Sequence, residues 1–243
     1  MSVLLAIATF ALFIALDYLV TTRRVDAQAG DGVKRSAPAA AVPTEPDAPP
    51  LFVPQPVWVA GYQMPEDFHY HRGHTWARQT GPDTVVVGLD DFARQLLGRA
   101  EQVETPRVGA HVRQGAPGFS VALDGRVADL MAPVGGEVVE INPALATNPH
   151  LATEDPYGRG WIMKLRTPDL GRNLRNLMSG SMAHKWLEDA RERIELQLMA
   201  LSGSVLTDGG RPVADFAGHL EHQEWNRLVG EFLLSEGRPV DAR

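Results

Sequence analysis

The stretch GAPGFSVALDGRVADLMAPVGGEVVEIN, residues 115–142, decides the fold of this chain. Its apolar residues fall into short runs that predict β-strands, at residues 118–123, 126–131 and 136–141. Asp124-Gly125 separates the first two runs and is among the most favourable two-residue turns for a β-hairpin. The stretch therefore predicts an antiparallel β structure built around a tight hairpin.

Short predicted strands continue on both sides of this stretch. Gly81-Pro82-Asp83 separates two further runs, at residues 75–79 and 84–89, in a pattern typical of a hairpin. Asp90 can cap a short helix over residues 91–97, which Gly98 would end. More strands are expected at residues 100–104, 110–112 and 160–165. Many short strands with frequent turns predict a mainly β (α+β) fold, a small sandwich or barrel.

Five ordered motifs lie within residues 70–168. They are HTW (74–76), VGLDDFA (87–93) with Leu97-Gly98, VETPRVG (103–109), DLMAPVGGEVVEIN (129–142), and EDPYG (154–158) with Gly160-Trp161 and Lys164. In this order they resemble the H protein of the glycine cleavage system. The resemblance implies a lipoyl-type hybrid β-barrel or sandwich, related to biotinyl-lipoyl domains, and a carrier of lipoic acid rather than an enzyme. Trp76 and Trp161 are expected in its core, the commonest place for rings of that size.

The resemblance also implies a register for the predicted hairpin. In the family the tip reads Glu-Ser-Val-Lys-Ala, and the lysine is joined to lipoate through an amide. Counting from Gly115 to Leu130 needs no insertion or deletion, so Gly125 stands in place of the lysine and Ala122 in place of the glutamate. The chain has few lysines, at positions 34, 164 and 185. The resemblance therefore implies a domain that keeps the hairpin but has lost the lipoylation site, with no cofactor-binding residue.

The N-terminal residues predict a membrane anchor. Residues 3–20, VLLAIATFALFIALDYLV, are apolar except for a few positions, and predict a transmembrane helix within an anchor at residues 1–24. A cleaved signal peptide is an alternative, but no basic residue precedes the apolar run; a buried soluble helix is another. Arg23 and Arg24 follow the span, so the positive-inside rule predicts a single-pass protein of the inner (cytoplasmic) membrane with its soluble domain in the cytoplasm. Residues 25–56 are rich in proline and alanine and predict a semi-rigid linker.

The remaining residues divide into an H-protein-like domain at 57–169 and a helical C-terminal extension at 170–243. Apolar residues spaced three to four apart predict a short helix near residues 174–178, a longer one from about Met182 to Leu201, and a last one over about residues 213–234. An apolar stripe must be buried somewhere, so these helices either pack on the β domain or dock a partner.

Composition excludes several functions. The net charge of −7 argues against a nucleic-acid partner, and the lack of cysteine excludes thiol catalysis and disulfides. His69, His71 and His74 could bind a metal, because alternating strand positions share a face. No carboxylate or cysteine stands at ligand spacing, so a lead-in loop without a metal is expected instead. No motif for a catalytic centre or a small-molecule substrate stands out.

The main hypothesis is a membrane-anchored H-protein-like domain that has lost its lipoylation site and acts as a non-catalytic interaction or scaffold subunit. Its partners would be protein subunits of a membrane-associated complex. A working carrier in glycine decarboxylation, with lipoate attached at an unexpected residue, is the alternative. An enzyme that uses the histidine cluster is a third hypothesis.

Overall fold

The computed structural model of the protein describes residues 57–202, 220–235 and 237–239. Its strands are short: β1 (Trp58–Val59), β2 (Tyr62–Gln63), β3 (His69–His71), β4 (Thr75–Gln79), β5 (Thr84–Leu89), β6 (Gln102–Glu104), β7 (His111–Val112), β8 (Pro117–Leu123), β9 (Arg126–Met131), β10 (Gly136–Ile141), β11 (Met163–Arg166) and β12 (Arg238–Pro239). Its helices are α1 (Asp91–Leu97), α2 (Ala144–Thr147), α3 (Leu151–Glu154), α4 (Leu170–Arg175), α5 (Gly180–Ser202) and α6 (His222–Phe232).

Two antiparallel sheets share one hydrophobic core. One sheet has the order β3-β4-β5-β11-β10-β7 and the other β12-β9-β8-β6, while β1 and β2 pair separately. Core residues from both sheets, such as Trp76 and Val87 on the first and Val121 and Leu130 on the second, belong to the same buried cluster. The predicted mainly β, sandwich-like fold with C-terminal helices is confirmed.

Helix α1 forms where its capping residues predict it. The Asp90 side chain accepts a hydrogen bond from the Ala93 backbone N–H at 2.9 Å, which satisfies one of the free donors in the first turn. Gly98 ends the helix with a φ of 80°, in the left-handed region that glycine enters without strain. Phe92, Leu96 and Leu97 are buried, so this short helix closes one side of the core.

Trp76 on β4 is almost completely buried in the core. Its Nε1–H donates to the Leu89 carbonyl at 2.7 Å, and Phe68 packs edge-on against its ring at a centroid distance of 4.9 Å. A Cβ at Gly88 would lie 2.5 Å from the Trp76 ring, so only glycine fits opposite it. Trp161 is buried as well, and the predicted core positions of both rings are confirmed.

Some boundaries differ from those predicted. The histidine segment expected to be a lead-in loop is strand β3 at His69–His71, because its backbone pairs with β4 along one side and with Met178 along the other. The long helix begins at Gly180 rather than near Met182, and the strand expected at residues 160–165 begins at Met163. In the part of the chain that the structure describes, no helix is both long and apolar enough to span a bilayer. The predicted anchor (1–24) and linker (25–56) lie outside the described residues.

Candidate functional site: the β8–β9 hairpin and the segment that covers it

Strands β8 and β9 form a hairpin whose turn consists of Asp124 and Gly125. Leu123 pairs with Arg126, so two residues remain in the turn. Asp124 has a φ of 47° and Gly125 a φ of 72°, and positive φ at both central positions is the type I′ geometry that Asp-Gly favours. Both residues are exposed, and a Cβ built on Gly125 meets no atom within 4 Å. The predicted turn is confirmed.

The hairpin is buried on both faces below this tip. Leu123 precedes the turn and is 2% exposed, and the next pair along the ladder, Ala122 and Val127, is 8% and 5% exposed. Further along the ladder, the Ser120 hydroxyl donates to the Asp129 carboxylate at 2.6 Å across the paired strands. The two turn residues are therefore exposed, while the strand positions next to them are largely buried.

The outer edge of β9 is covered by a segment near the C-terminus. We call its described residues, 220–235 and 237–239, the C-terminal clamp. Its strand β12 pairs antiparallel with β9, with Arg238 opposite Val127 and Pro239 opposite Arg126. The Ser235 hydroxyl accepts a hydrogen bond from the Asp129 backbone N–H at 2.8 Å. The clamp thus satisfies a backbone donor of β9 that would otherwise face outward.

Arg126, the residue after the turn, contacts the clamp twice. Its Nη2 donates to the Leu220 carbonyl at 2.9 Å, and its guanidinium lies 5.7 Å from the centre of the Trp225 ring. A guanidinium over an aromatic face is attracted to the negative charge of the ring. The clamp is therefore tied to the hairpin immediately beside its tip.

Helix α6 anchors the clamp in the core. Its inward face is fully buried and consists of Trp225, Leu228, Val229 and Phe232. Phe232 packs on Phe92 of α1 at a centroid distance of 5.2 Å. Helix α5 likewise buries one face, formed by Ala183, Leu187, Ala190 and Ile194. Of the two roles that the sequence left open for these helices, the structure shows packing on the β domain.

The described lysines lie away from the hairpin tip. Lys164 on β11 pairs with Glu140 on the neighbouring β10, and its Nζ lies 5.8 Å from the centre of the Trp161 ring. Lys185 on α5 is 2.9 Å from Asp189, whose side-chain hydrogen bond raises the pKa of the lysine. Lys34 lies outside the described residues. Neither described lysine occupies a turn at a hairpin tip.

The three histidines do not form a site together. His74 is buried, with its Nδ1 2.8 Å from the Asp90 carboxylate and its ring stacked on Phe92 at 4.0 Å. Burial, with the charge of Arg72 nearby, lowers the pKa of His71 to about 4, and its Nδ1 accepts a hydrogen bond from the Gly73 N–H. Burial also lowers the pKa of His69. Among the described residues no group of His, Asp or Glu is arranged to hold a metal.

The sequence did not reveal the clamp as part of this site. Its strand β12 has two residues, one of them proline, and carries no alternating pattern that would predict a strand. The only signal was the apolar stripe of the last predicted helix, which indicated burial but not the surface against which it is buried.

The fold and the hairpin define a small sandwich-like β protein that presents the exposed tip of a tight hairpin, and comparison with known proteins gives its family. A model of the glycine cleavage H-protein family matches residues 68–190. The probable glycine cleavage system H protein of Thermococcus gammatolerans is 38% identical over 130 residues, which cover 54% of this chain and 96% of that protein. That of Thermus thermophilus is 44% identical over 108 residues, covering 44% of this chain and 84% of that protein. The chain belongs to the glycine cleavage H-protein family.

A solved structure is also similar. The crystal structure of a glycine cleavage system H protein from Mycobacterium marinum shares 32% identity and covers 49% of this chain and 94% of that one, with a TM-score of 0.43. An H protein carries a lipoyl group and is not itself a catalyst, which agrees with the prediction that this chain is not an enzyme.

Proposed function

We propose that this chain is a non-lipoylated member of the H-protein family that acts as an interaction or scaffold subunit. The observation that carries the proposal is Gly125 at the exposed tip of the β8–β9 hairpin. A lipoyl carrier needs an amine there, since it works by swinging a dithiolane from a lysine. Glycine keeps the turn but offers nothing to which lipoate could be attached.

The hairpin geometry supports the register on which this proposal depends. The pairing of Leu123 with Arg126 allows two residues in the turn, Asp124 and Gly125, and neither has an amine side chain. Arg126 is the nearest cation, but a guanidinium does not form the lipoyl amide, and this one is engaged by the clamp. A slip of one residue in either direction would therefore not supply an attachment point.

The proposal includes a membrane anchor at residues 3–20 and protein partners in a membrane-associated complex. The length of the apolar run supports the anchor, and Arg23 and Arg24 support a cytoplasmic position for residues 57–243. Fractionation of cells that express the full chain, compared with a chain lacking residues 1–24, tests this part. We expect the full chain in the membrane fraction, resistant to salt and released by detergent, and the shortened chain in the soluble fraction.

The absence of lipoylation is tested by intact mass. The full chain is expressed with excess lipoate and a lipoate ligase, beside the Thermus thermophilus H protein as a positive control. We expect the control to gain the mass of one lipoyl group and this chain to gain none. A stoichiometric gain by this chain would refute the proposal.

A carrier with lipoate attached elsewhere is the second candidate, favoured by the names of the relatives. If mass is gained, K34R, K164R and K185R locate the attachment, because an arginine keeps the charge but cannot form the amide. Loss of the gain in one of these variants would identify the chain as a carrier of a new type.

A further inference from the structure

The C-terminal clamp occupies the one edge of the hairpin that would otherwise be open. In the four-stranded sheet β8 is flanked by β6 and β9, and β9 is flanked by β8 and β12. Without β12 beside it, β9 would present unpaired backbone N–H and C=O groups, which readily pair with another chain. The clamp itself ends the sheet with a two-residue strand containing Pro239, which has no N–H to offer a further strand.

Besides the pairing of β12, the clamp is held by contacts of two kinds, apolar and polar. The apolar face of α6 is buried in the core, and the polar contacts reach β9 itself through Arg126 and the Asp129 N–H. These contacts span β9 from the residue beside the turn to the middle of the strand. A protein that bound the hairpin along this edge would have to displace the clamp.

The clamp also lies beyond the part of the chain that the family model matches, which ends at residue 190. The Thermococcus gammatolerans relative is covered over 96% of its length by a match of 130 residues. The matched domain is therefore nearly the whole of that relative, and the clamp is an addition to it.

We propose that the clamp is a built-in partner of the hairpin, which closes the hairpin edge to the enzymes that attach lipoate. This inference rests on the proposed function and adds a second barrier, independent of residue 125. A lysine introduced by G125K would then be exposed to small reagents but poorly modified by a ligase. In that modification the lysine amine attacks the activated carboxyl of lipoyl-AMP, an amide bond forms, and AMP and a proton leave.

The test compares four full-length proteins: the parent, G125K, W225A and G125K/W225A. Trp225 lies in the clamp, so W225A loosens the clamp without changing a residue of the hairpin. Each protein is incubated with lipoate, ATP and a lipoate ligase, and the initial rate of lipoylation is followed by intact mass. In parallel, an acetyl N-hydroxysuccinimide ester reports whether each lysine is open to a small reagent, with peptide mapping to assign the site.

The clamp predicts at least tenfold faster lipoylation of G125K/W225A than of G125K, with equal acetylation of the introduced lysine in both. Equal, rapid lipoylation of the two would overturn the clamp inference and leave the proposed function intact. The clamp inference would also be overturned if G125K and G125K/W225A were both lipoylated slowly while the Asp129 amide exchanged rapidly in the double variant. The clamp would then be open, yet the rate of lipoylation would not have risen. Lipoylation of the parent or of W225A would instead refute the proposed function.

A second variant guards against loss of folding in W225A. A recognition sequence for a site-specific protease is inserted between Ser202 and Leu220 in the G125K chain. After cleavage, only non-covalent contacts hold the clamp on the hairpin. Dilution then favours release, because the effective concentration provided by the linked chain is lost. We expect the lipoylation rate to rise on cutting and dilution. An unchanged rate, with circular dichroism unchanged and the clamp fragment released, would contradict the inference.

Discussion

Replacing Gly125 by lysine tests whether the turn residue is determined by backbone geometry alone. The φ of 72° lies in the left-handed region, where a side chain at Cβ crowds the following carbonyl oxygen. A Cβ at this position meets no atom within 4 Å, so steric overlap with neighbouring residues adds nothing. We therefore expect G125K to lower the free energy of unfolding only by the cost of the left-handed backbone conformation, about 1–2 kcal/mol.

This loss is small beside the stability of a folded domain, commonly about 5–15 kcal/mol. For a domain of this size we expect the melting temperature of G125K to fall by about 2–8 °C, because each kcal/mol shifts Tm by about 2–4 °C. The protein should therefore stay folded with a lysine at its hairpin tip.

Urea denaturation followed by circular dichroism measures the effect, with G125N as the matched control. Asparagine tolerates left-handed φ better than lysine, so G125N should lose less stability than G125K. A loss above about 4 kcal/mol, well beyond the left-handed penalty, would show that something other than φ excludes side chains here. No loss, or an equal loss in both variants, would refute the type I′ assignment on which the argument depends.

Three further outcomes are expected. W225A should weaken docking of the clamp by about 3–5 kcal/mol, and W225F should weaken it by less. Hydrogen exchange of the Asp129 amide measures this docking free energy. Unchanged protection of that amide in W225A would contradict the packing described. D90A should lower the free energy of unfolding by about 2–4 kcal/mol, because it removes the α1 cap and leaves buried His74 without its partner. D90N keeps an acceptor and should therefore lower it by less. An equal decrease for the two variants in urea denaturation would count against the cap. Because burial lowers the pKa of His71 from 6.5 to about 4, the unfolded chain binds more protons, so stability should be full above pH 6.5 and decline as pH falls to 4. H71N should flatten that slope in urea titrations, and an unaltered slope would exclude His71 as a source.

Short sequence patterns predicted the turns and caps of the β domain, because neighbouring residues in the chain determine these features. Asp124-Gly125 marks its turn through the positive φ that the two residues accept, and Asp90 marks its helix through a carboxylate that reaches the first-turn N–H groups. Each of these features depends on residues adjacent in the chain. Sequence reasoning could therefore place them without knowing the sheet order.

Features that depend on distant partners were missed or misassigned. The histidine segment was expected to be a loop, but pairing with β4 and Met178 makes it strand β3. Strand β12 forms because β9 offers an edge more than a hundred residues earlier, and its own two residues carry no strand signal. In both cases tertiary pairing, not propensity, decides the structure.

The clamp bears on how Gly125 at the hairpin tip is interpreted. If, as we propose, the lipoyl lysine is replaced by Gly125 and nothing else covered the hairpin, a single substitution would supply the attachment point again. Here the edge is paired by β12, the residue after the turn is held by Leu220 and Trp225, and only Asp124 and Gly125 remain open at the tip. A carrier depends on access to its hairpin, whereas a scaffold gains from fixing it, since a paired edge resists unwanted strand addition. Under the proposed function, the geometry beside Gly125 therefore fits a fixed structural element better than a carrier that lacks only its lysine.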